Sequence, residues 1–189
     1  MPATKFLFWN IGRKPLAQLV SELAEIHGVD VIMLAECETD PGAMLQALNG
    51  TPETGFHFPA SLSYGTVVFT RFSGEFLRPA FESERISIRR LALPARARVL
   101  LATAHLPSKL YWSAESQAFE CVELARNIEA EERTAGHRRT IVVGDFNMNP
   151  FEAGLVSAAG LNSVMSRRVA SRETRTVQGR EYRFFYNPM

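Results

Sequence analysis

A glycine, a carboxylate and a carboxamide follow a short apolar run late in the chain. Residues 141–143 predict a buried strand, because β-branched residues that end at a breaker are typical of sheets covered on both faces. Asp145 and Asn147 lie two positions apart beyond Gly144, so their side chains share one side if the strand stays extended. The carboxylate can orient or deprotonate an attacking water, and the amide can donate a hydrogen bond to a phosphoryl oxygen.

Three further apolar runs each end near one polar side chain. These side chains are Asn10, Glu36 and His105. In open α/β sheets, ligands bind where the ends of the strands open into a crevice. The sequence therefore predicts strands that bring an amide, a carboxylate and an imidazole to the same region as Asp145 and Asn147.

The order of these groups along the chain resembles the endonuclease/exonuclease/phosphatase superfamily, which includes deoxyribonuclease I-like nucleases and inositol polyphosphate phosphatases. The resemblance rests on Asn10, Glu36, His105 and residues 144–147, and it covers nearly the whole chain. It implies an α/β fold, a four-layer α-β-β-α sandwich of two mixed sheets flanked by helices. We expect this fold to form a single domain over residues 1–189.

The resemblance also implies roles for these residues. Glu36 would bind Mg²⁺ or Mn²⁺ with Asn10 beside it, since hard oxygen ligands suit both ions. Asp145 would orient or deprotonate the water, while Asn147 and His105 would donate hydrogen bonds to the phosphoryl oxygens. The predicted activity is divalent-metal-dependent hydrolysis of a phosphoester, of the nuclease or phosphodiesterase type. The substrate stays open between nucleic acid, a nucleotide and another phosphodiester such as an inositol phosphate or a lipid headgroup.

The C-terminal part departs from the superfamily pattern. Members normally carry a late Ser-Asp-His motif whose Asp–His pair orients the histidine. Here the last aspartate is Asp145, the last histidine is His137, and residues 184–186 are aromatic. We therefore expect a domain that stops before its final strands, with an open sheet edge that favours association and with apolar core exposed at residues 184–186. The alternative function is a catalytically impaired module that binds phosphate or a partner.

Basic residues outside these motifs are candidates for substrate binding. Lys109 follows His105 by four positions, and Arg71 follows a predicted strand at 66–70. Either side chain could contact a phosphate, and either could equally be an ordinary surface or structural residue. Residues 167–183 contain six arginines and two glutamates. This excess could attract a polyanion, although a solvated basic surface is the commoner explanation.

Helical spacing of apolar residues predicts three main helices. One begins near Pro15 and ends at Gly28, and a shorter one covers 43–48. A third covers 114–134, and another short helix begins near Phe151. The long helix is expected to bury a stripe formed by Phe119, Val122, Ala125 and Ile128.

The composition is that of a globular domain, without a strong overall charge and without a membrane-spanning segment. The chain has 189 residues and a formal net charge of +1, so no global charge favours nucleic acid. Its 2 cysteines are too few for a disulfide framework and suit a reducing compartment. No apolar run approaches the roughly 20 residues of a membrane helix. We expect a cytoplasmic protein without a membrane span.

Overall fold

The computed structural model describes residues 3–50, 55–59 and 65–188. The chain folds as two compact units. The first unit comprises Met1–His105 and His137–Asp145, and the second comprises Leu106–Gly136 and Phe146–Met189. The single domain predicted over residues 1–189 stays a prediction.

The first three strands of the first unit form one mixed sheet, sheet 1. Strands β1 (Phe6–Asn10) and β2 (Val31–Ala35) are parallel, and β3 (Thr66–Thr70) runs antiparallel to β2. Helix α1 (Ala17–His27) connects β1 to β2, and helix α2 (Pro41–Leu48) follows β2. A parallel pair needs such a crossover, and a helix is the usual one. The predicted strand at 66–70 is confirmed.

Local capping explains where the two helices begin and end. Gly28 ends α1 in the left-handed conformation, with φ of 58°, which glycine adopts without a Cβ clash. The Asp40 carboxylate accepts hydrogen bonds from the backbone N–H groups of Gly42 at 2.9 Å and Ala43 at 3.1 Å. Pro41 occupies the first turn, where its missing N–H costs nothing. This cap makes α2 begin two residues earlier than the apolar spacing predicted.

Four strands of the first unit form a second mixed sheet, sheet 2, in the order β4-β5-β6-β7. They are β4 (Leu77–Glu82), β5 (Ile86–Leu91), β6 (Val99–His105) and β7 (Thr140–Asp145). Neighbours are antiparallel except β6 and β7, which are parallel. The irregular register beside Pro79 lies on β4, an edge strand, where a missing N–H is tolerated. The edges of the two sheets are β1, β3, β4 and β7, and association through such an edge stays a prediction.

The core of the first unit has two apolar layers. Strand β2 is buried on both faces, so its alternating side chains contribute to both layers. Complete burial of one such aliphatic side chain stabilises the fold by roughly 1.5–3 kcal/mol. The predicted α/β class with two mixed sheets is confirmed. Between the sheets pack Val31, Met33 and Val68 with Leu77, Leu91 and Leu101. The other face of sheet 1 packs Ile32, Leu34 and Phe69 against Val20, Ala24, Met44 and Leu48.

Strand β7 differs from the buried strand that residues 141–143 predicted. It is the edge strand of sheet 2, and Ile141 is 38% exposed. The prediction of burial on both faces is therefore wrong for this strand. Gly144 is packed closely against β6, since a Cβ added there would overlap the Ala104 carbonyl and lie 2.8 Å from its carbon. The glycine is what allows the two parallel backbones to approach at the end of the sheet.

The second unit is built on one long helix, α3 (Ala114–Ala135). Ser113 caps its first turn and Gly136 ends it in the left-handed conformation, with φ of 69°. None of the helices in the described part of the chain is long and apolar enough to cross a membrane. The remaining elements are α4 (Ala153–Val156), β8 (Ser163–Val164), α5 (Arg167–Ala170), β9 (Thr174–Val177), β10 (Arg180–Arg183) and β11 (Phe185–Tyr186).

The buried face of α3 agrees only in part with the one that the sequence predicted. Ile128 is buried as predicted, but Phe119 is 60% exposed, so its place in the buried stripe is wrong. The apolar spacing was misleading because two of the buried positions on α3 are polar and hydrogen-bonded. Burial also raises the pKa of the Cys121 thiol to about 12, which makes this free cysteine unreactive. The buried residues of α3 are Gln117, Cys121, Leu124, Ile128 and Glu132.

The aromatic residues near the end of the chain belong to ordered structure. Strand β11 pairs in parallel with β8, placing Phe185 opposite Ser163. The Phe184 N–H donates to the Glu173 carbonyl at 2.8 Å. Phe184 and Phe185 are half-buried, and Tyr186 is 41% exposed. The expectation that apolar core lies open at 184–186 therefore fits Tyr186 better than the two phenylalanines.

Candidate active site

Four strands of the first unit each end at one of the predicted site residues. Asn10 is the last residue of β1, and Glu36 follows β2 directly. His105 and Asp145 end the parallel strands β6 and β7, and they are paired in register. Because β1 and β2 are also parallel, with Asn10 opposite Ala35, each pair of strands delivers its side chains to one edge.

Two hydrogen bonds and one close contact between an imidazole and a carboxylate connect these four side chains into one cluster, which we call the strand-end cluster. The Asn10 amide nitrogen donates to Glu36 Oε1 at 3.0 Å and to Asp145 Oδ2 at 2.8 Å. His105 Nε2 lies 3.5 Å from the same Glu36 Oε1, an ion pair when the imidazole is protonated. The cluster is accessible from solvent, since the side chains of Glu36 and His105 are 32% and 23% exposed. The structure thus brings together four of the predicted residues.

The orientation of the Asn10 amide is fixed by the backbone. Its oxygen accepts a hydrogen bond from the Gly12 N–H at 2.9 Å. Rotating the amide by half a turn would place its NH₂ against that N–H, with no acceptor between them. Asn10 therefore presents N–H groups to the carboxylates, and its amide acts here as a bridge between Glu36 and Asp145.

The backbone of Glu36 is strained, and sequence analysis missed the residue that contacts it. Glu36 has φ of 49°, a left-handed conformation that costs a residue with a Cβ on the order of 1 kcal/mol. The Glu36 carbonyl accepts the Arg13 N–H at 2.9 Å. Arg13 Nε also lies 3.9 Å from Glu36 Oε2 and 3.6 Å from Glu38 Oε1. Strain of this kind is characteristic of functional sites.

The strand-end cluster fits a hard divalent cation. Two carboxylates lie within 3.0 Å of a single nitrogen, so the two are close enough to supply oxygen atoms to one small ion beside it. Among the described residues no group of three or more His, Cys, Asp or Glu side chains could hold a metal ion. One or two carboxylates supplemented by water is the coordination that Mg²⁺ prefers. Glu36 and Asp145 are the residues that could hold it.

Asn147 lies in the second unit, and the premise behind its predicted orientation does not hold. Strand β7 ends at Asp145, and Asn147 has φ of 51°, so the chain is no longer extended there. Asparagine tolerates this left-handed conformation well. The Asn147 amide donates to the Leu106 carbonyl at 2.8 Å. Its role in catalysis stays a prediction.

Gln117 is a positioning residue that sequence analysis missed. It is fully buried on α3, and its amide donates to the Pro107 carbonyl at 2.6 Å and the Asn147 carbonyl at 3.3 Å. It thereby ties together the segments that follow His105 and Asp145. The signal in the sequence was a glutamine in the first turn of an amphipathic helix, which by itself is typical of an exposed position.

Lys109 also lies in the second unit, where it forms an ion pair with Glu152. The hydrogen bond from Lys109, together with the Asn149 N–H, holds the pKa of Glu152 below its usual range. The Lys109 side chain is 45% exposed, and exposed pairs of this kind contribute little stability. Exchange of Glu152 for a phosphate therefore costs little, and substrate binding by Lys109 stays a prediction.

Arg71 occupies the opposite end of sheet 1 from the strand-end cluster. It follows Thr70, whose partner in β2 is Val31, the strand's first residue. Its guanidinium donates to the carbonyls of Val29 at 2.7 Å and Ala24 at 3.3 Å, and stacks on a phenylalanine ring 4.7 Å away. These contacts give Arg71 a structural role, so the structure does not support the predicted substrate contact.

The bridging amide gives a first testable prediction. Asn10→Asp places a third carboxylate against Glu36 and Asp145, and we expect it to lower the free energy of unfolding in EDTA by about 1–3 kcal/mol. Mg²⁺ should then raise the melting temperature more in this variant than in the wild type, because a cation offsets the added charge. Thermal unfolding with and without Mg²⁺ measures both effects. Asn10→Ala is the control, because it removes the amide without adding a charge. If Mg²⁺ raised the melting temperature of Asn10→Ala as much as that of Asn10→Asp, the explanation would be contradicted.

Carboxylates gathered where strand ends meet can hold a metal ion that polarises a bound oxygen, so this combination of fold and site is suited to metal-assisted hydrolysis. Residues 7–188 match the Endonuclease/Exonuclease/phosphatase family. The chain belongs to this family. The resemblance drawn from the four strand ends is thereby confirmed. No curated protein sequence matches the chain significantly.

Solved structures of family members share the fold at low sequence identity. The catalytic domain of human Nocturnin with bound sulfate is 17% identical, covers 82% of this chain and 70% of its own, and has a TM-score of 0.58. An endonuclease/exonuclease/phosphatase family protein from Bacteroides thetaiotaomicron is 14% identical in sequence, with a TM-score of 0.57. The match covers 85% of this chain and 70% of that protein. TDP2 from D. rerio, complexed with a single-strand DNA product, is 18% identical in sequence, with a TM-score of 0.51. The match covers 82% of this chain and 64% of that protein. The chain thus spans about two thirds of the length of these proteins.

Proposed function

We propose that the protein is a divalent-metal-dependent phosphoester hydrolase of the nuclease or phosphodiesterase type. The observation that carries this proposal is the strand-end cluster, in which one amide nitrogen lies within 3.0 Å of two carboxylates and an imidazole lies beside them. A half-buried group of this composition binds a cation and a phosphate oxygen better than it packs a core. Membership of the family supports the same class of reaction.

Each residue of the strand-end cluster has a role in this proposal. Glu36, with Asp145 beside it, holds Mg²⁺ or Mn²⁺, which when bound polarises the phosphoester and stabilises its leaving oxygen. Asp145 orients the attacking water and accepts its proton. Asn10 keeps both carboxylates in place through its two hydrogen bonds. His105 donates from its imidazole to a phosphoryl oxygen as charge develops there.

The histidine is oriented differently from the family pattern expected from sequence. No Asp or His follows Asn147 in this sequence, and in the described part of the chain the carboxylate beside His105 Nε2 is Glu36. Glu36 would therefore be the group that orients the imidazole, whose ring N–H can donate to a phosphoryl oxygen. Asn147 is proposed as a further donor, in which case its amide exchanges the Leu106 carbonyl for substrate.

A calorimetric titration tests the metal assignment. We expect Glu36→Gln to weaken Mg²⁺ binding about tenfold or more, because it removes an anionic ligand. Glu38→Gln is a matched control, since Glu38 is 68% exposed and contacts the same Arg13. Equal Mg²⁺ affinity in wild type and Glu36→Gln would show that the assignment is wrong.

A phosphate-binding module without turnover is the second candidate function. In this candidate the strand-end cluster binds a cation and a phosphate oxygen without hydrolysing the ester. A panel of phosphodiesters and phosphomonoesters, assayed with Mg²⁺, with Mn²⁺ and with EDTA, separates the two functions. Turnover that EDTA abolishes supports the hydrolase, whereas Mg²⁺ binding without turnover supports the module. Nucleic acid is the substrate class we favour, since a family member of the same fold was solved with a DNA product.

A further inference from the structure

Strands β9 and β10 of the second unit form a short hairpin with a tight turn. The turn residues Gln178 and Gly179 both have positive φ, 49° and 75°. Two such residues between antiparallel strands are typical of a type I′ turn, whose twist matches that of the strands. The hairpin therefore has a defined register, with Val177 opposite Arg180 and Arg175 opposite Tyr182.

This register sorts the side chains of the hairpin by charge. Directly opposed residues of an antiparallel pair share a face, and residues two apart along a strand share it too. One face, which we call the basic face, therefore carries Arg175, Val177, Arg180 and Tyr182. The opposite face carries the acidic residue of the two strands, Glu181. The basic face presents positive and apolar groups without a carboxylate.

The opposite face is attached to the body of the second unit. Arg183 forms an ion pair with Glu132 of α3, which is 6% exposed. Breaking a buried pair of this kind leaves an uncompensated charge and is costly. Arg175, Val177 and Arg180 are exposed, so the basic face is accessible to a ligand while Arg183 anchors the hairpin from the opposite face.

Arginines in and around the hairpin stack on aromatic rings. Arg180 lies 5.7 Å from the ring centre of Tyr182, and Arg175 lies 6.0 Å from that of Phe184. Neither arginine forms an ion pair with an acidic side chain within the described residues. A guanidinium beside a ring can still offer N–H groups to a ligand. Arg175 uses one of its N–H groups on the Val156 carbonyl, at 3.1 Å, and can offer the others.

Charge is strongly concentrated in this part of the chain. Residues 167–183 contain six arginines, two glutamates and no other charged residue, a net charge of +4, whereas the whole chain has +1. A flexible polyanion complements such a surface. Flat guanidinium–aromatic pairs further favour a polyanion with exposed planar groups, because unpaired bases stack on aromatic rings and on arginine.

We propose that the basic face binds single-stranded nucleic acid. The arginines contact phosphates, and Tyr182 with its stacked guanidinium provides a platform for a base. An anionic lipid surface offers the charge but no base to stack. The proposal concerns binding only, so it does not depend on whether the strand-end cluster hydrolyses a phosphoester.

Fluorescence anisotropy with a labelled 20-nucleotide oligothymidylate tests this proposal on the full chain, in EDTA so that no hydrolysis occurs. We expect the double variant Arg175→Ala/Arg180→Ala to raise Kd about tenfold or more and to reduce the salt slope by about two. The control Arg98→Ala/Arg126→Ala removes the same charge from exposed arginines elsewhere. Tyr182→Leu should weaken binding about fivefold or more at unchanged salt slope, because it removes stacking without charge.

The alternatives give distinct results. Equal weakening in the two double variants would overturn the proposal, because it would indicate general charge attraction. Binding to vesicles of anionic phospholipid that exceeds binding to the oligonucleotide would also overturn it. Circular dichroism of each variant establishes that the fold is retained. Should Arg175→Ala/Arg180→Ala fail to fold, Arg180→Glu, at the exposed tip of the hairpin, must weaken binding at least as strongly for the proposal to stand.

Discussion

Replacing Asp145 with asparagine is expected to lower phosphoester turnover by about a hundredfold or more, the scale of losing a proton acceptor in the reaction. The side chain keeps its shape and can still contact the Asn10 amide, so the loss follows from the missing negative charge. His105→Ala should reduce turnover to a similar extent by removing a donor to the phosphoryl oxygen. Steady-state kinetics with a phosphodiester and Mg²⁺ measures both effects.

The matched control for this change is Asp40→Asn. Asp40 caps α2 by accepting two backbone hydrogen bonds, and asparagine caps a helix about as well as aspartate does. We therefore expect its turnover to equal that of the wild type. Thermal unfolding distinguishes a catalytic from a structural effect. If Asp145→Asn unfolds at a much lower temperature while keeping its specific activity, Asp145 has a structural role and the catalytic assignment is wrong.

Gly144→Ala is expected to have the largest effect on stability. The added methyl group would overlap the Ala104 carbonyl oxygen and lie 2.8 Å from its carbon and 2.9 Å from its nitrogen. These are backbone atoms of the paired strand β6, so the overlap cannot be relieved by the movement of a side chain. Overpacking usually costs about 1–3 kcal/mol, and we expect at least the upper end of that range here. Urea denaturation followed by circular dichroism measures the change.

Gly55→Ala is the matched control for the glycine replacement. Among the residues that the structure describes, none has an atom within 4 Å of a Cβ added at Gly55, and alanine there restricts the unfolded chain slightly. We expect its free energy of unfolding to stay within about 0.5 kcal/mol of the wild type. A Gly144→Ala protein as stable as this control would mean that β6 and β7 are farther apart than the structure shows.

The strands that carry the site could be predicted from sequence because each is an apolar run that ends at a polar residue. Strand β3 was predicted at its observed bounds, and β2 is as buried as its composition indicates. Strands β9 and β10 were missed, because their side chains are mostly polar and their turn is Gln178-Gly179 rather than a typical Asn-Gly pair. Hydrophobic periodicity carries little information about such an exposed hairpin.

The candidate site was predictable in its main residues and not in their contacts. Asn10, Glu36, His105 and Asp145 follow from the positions of strand ends, which sequence patterns locate well. The contact between Arg13 and Glu36 depends on left-handed backbone at both residues, with φ of 62° and 49°. No propensity predicts two such conformations in non-glycine residues. The buried Gln117 was missed for a similar reason, since tertiary hydrogen bonds decide its burial.

The bond between Asn10 and Asp145 joins residues 135 positions apart, which has a consequence for how the protein is made. Contacts this distant in sequence form slowly, because a long loop must close before the contact is gained. During synthesis, Asn10 and Glu36 leave the ribosome long before the strand that carries Asp145 has been translated. Their polar groups must stay hydrated throughout this interval. The complete strand-end cluster therefore assembles only after most of the chain has emerged, so the chemistry proposed for it cannot begin during the earlier part of synthesis.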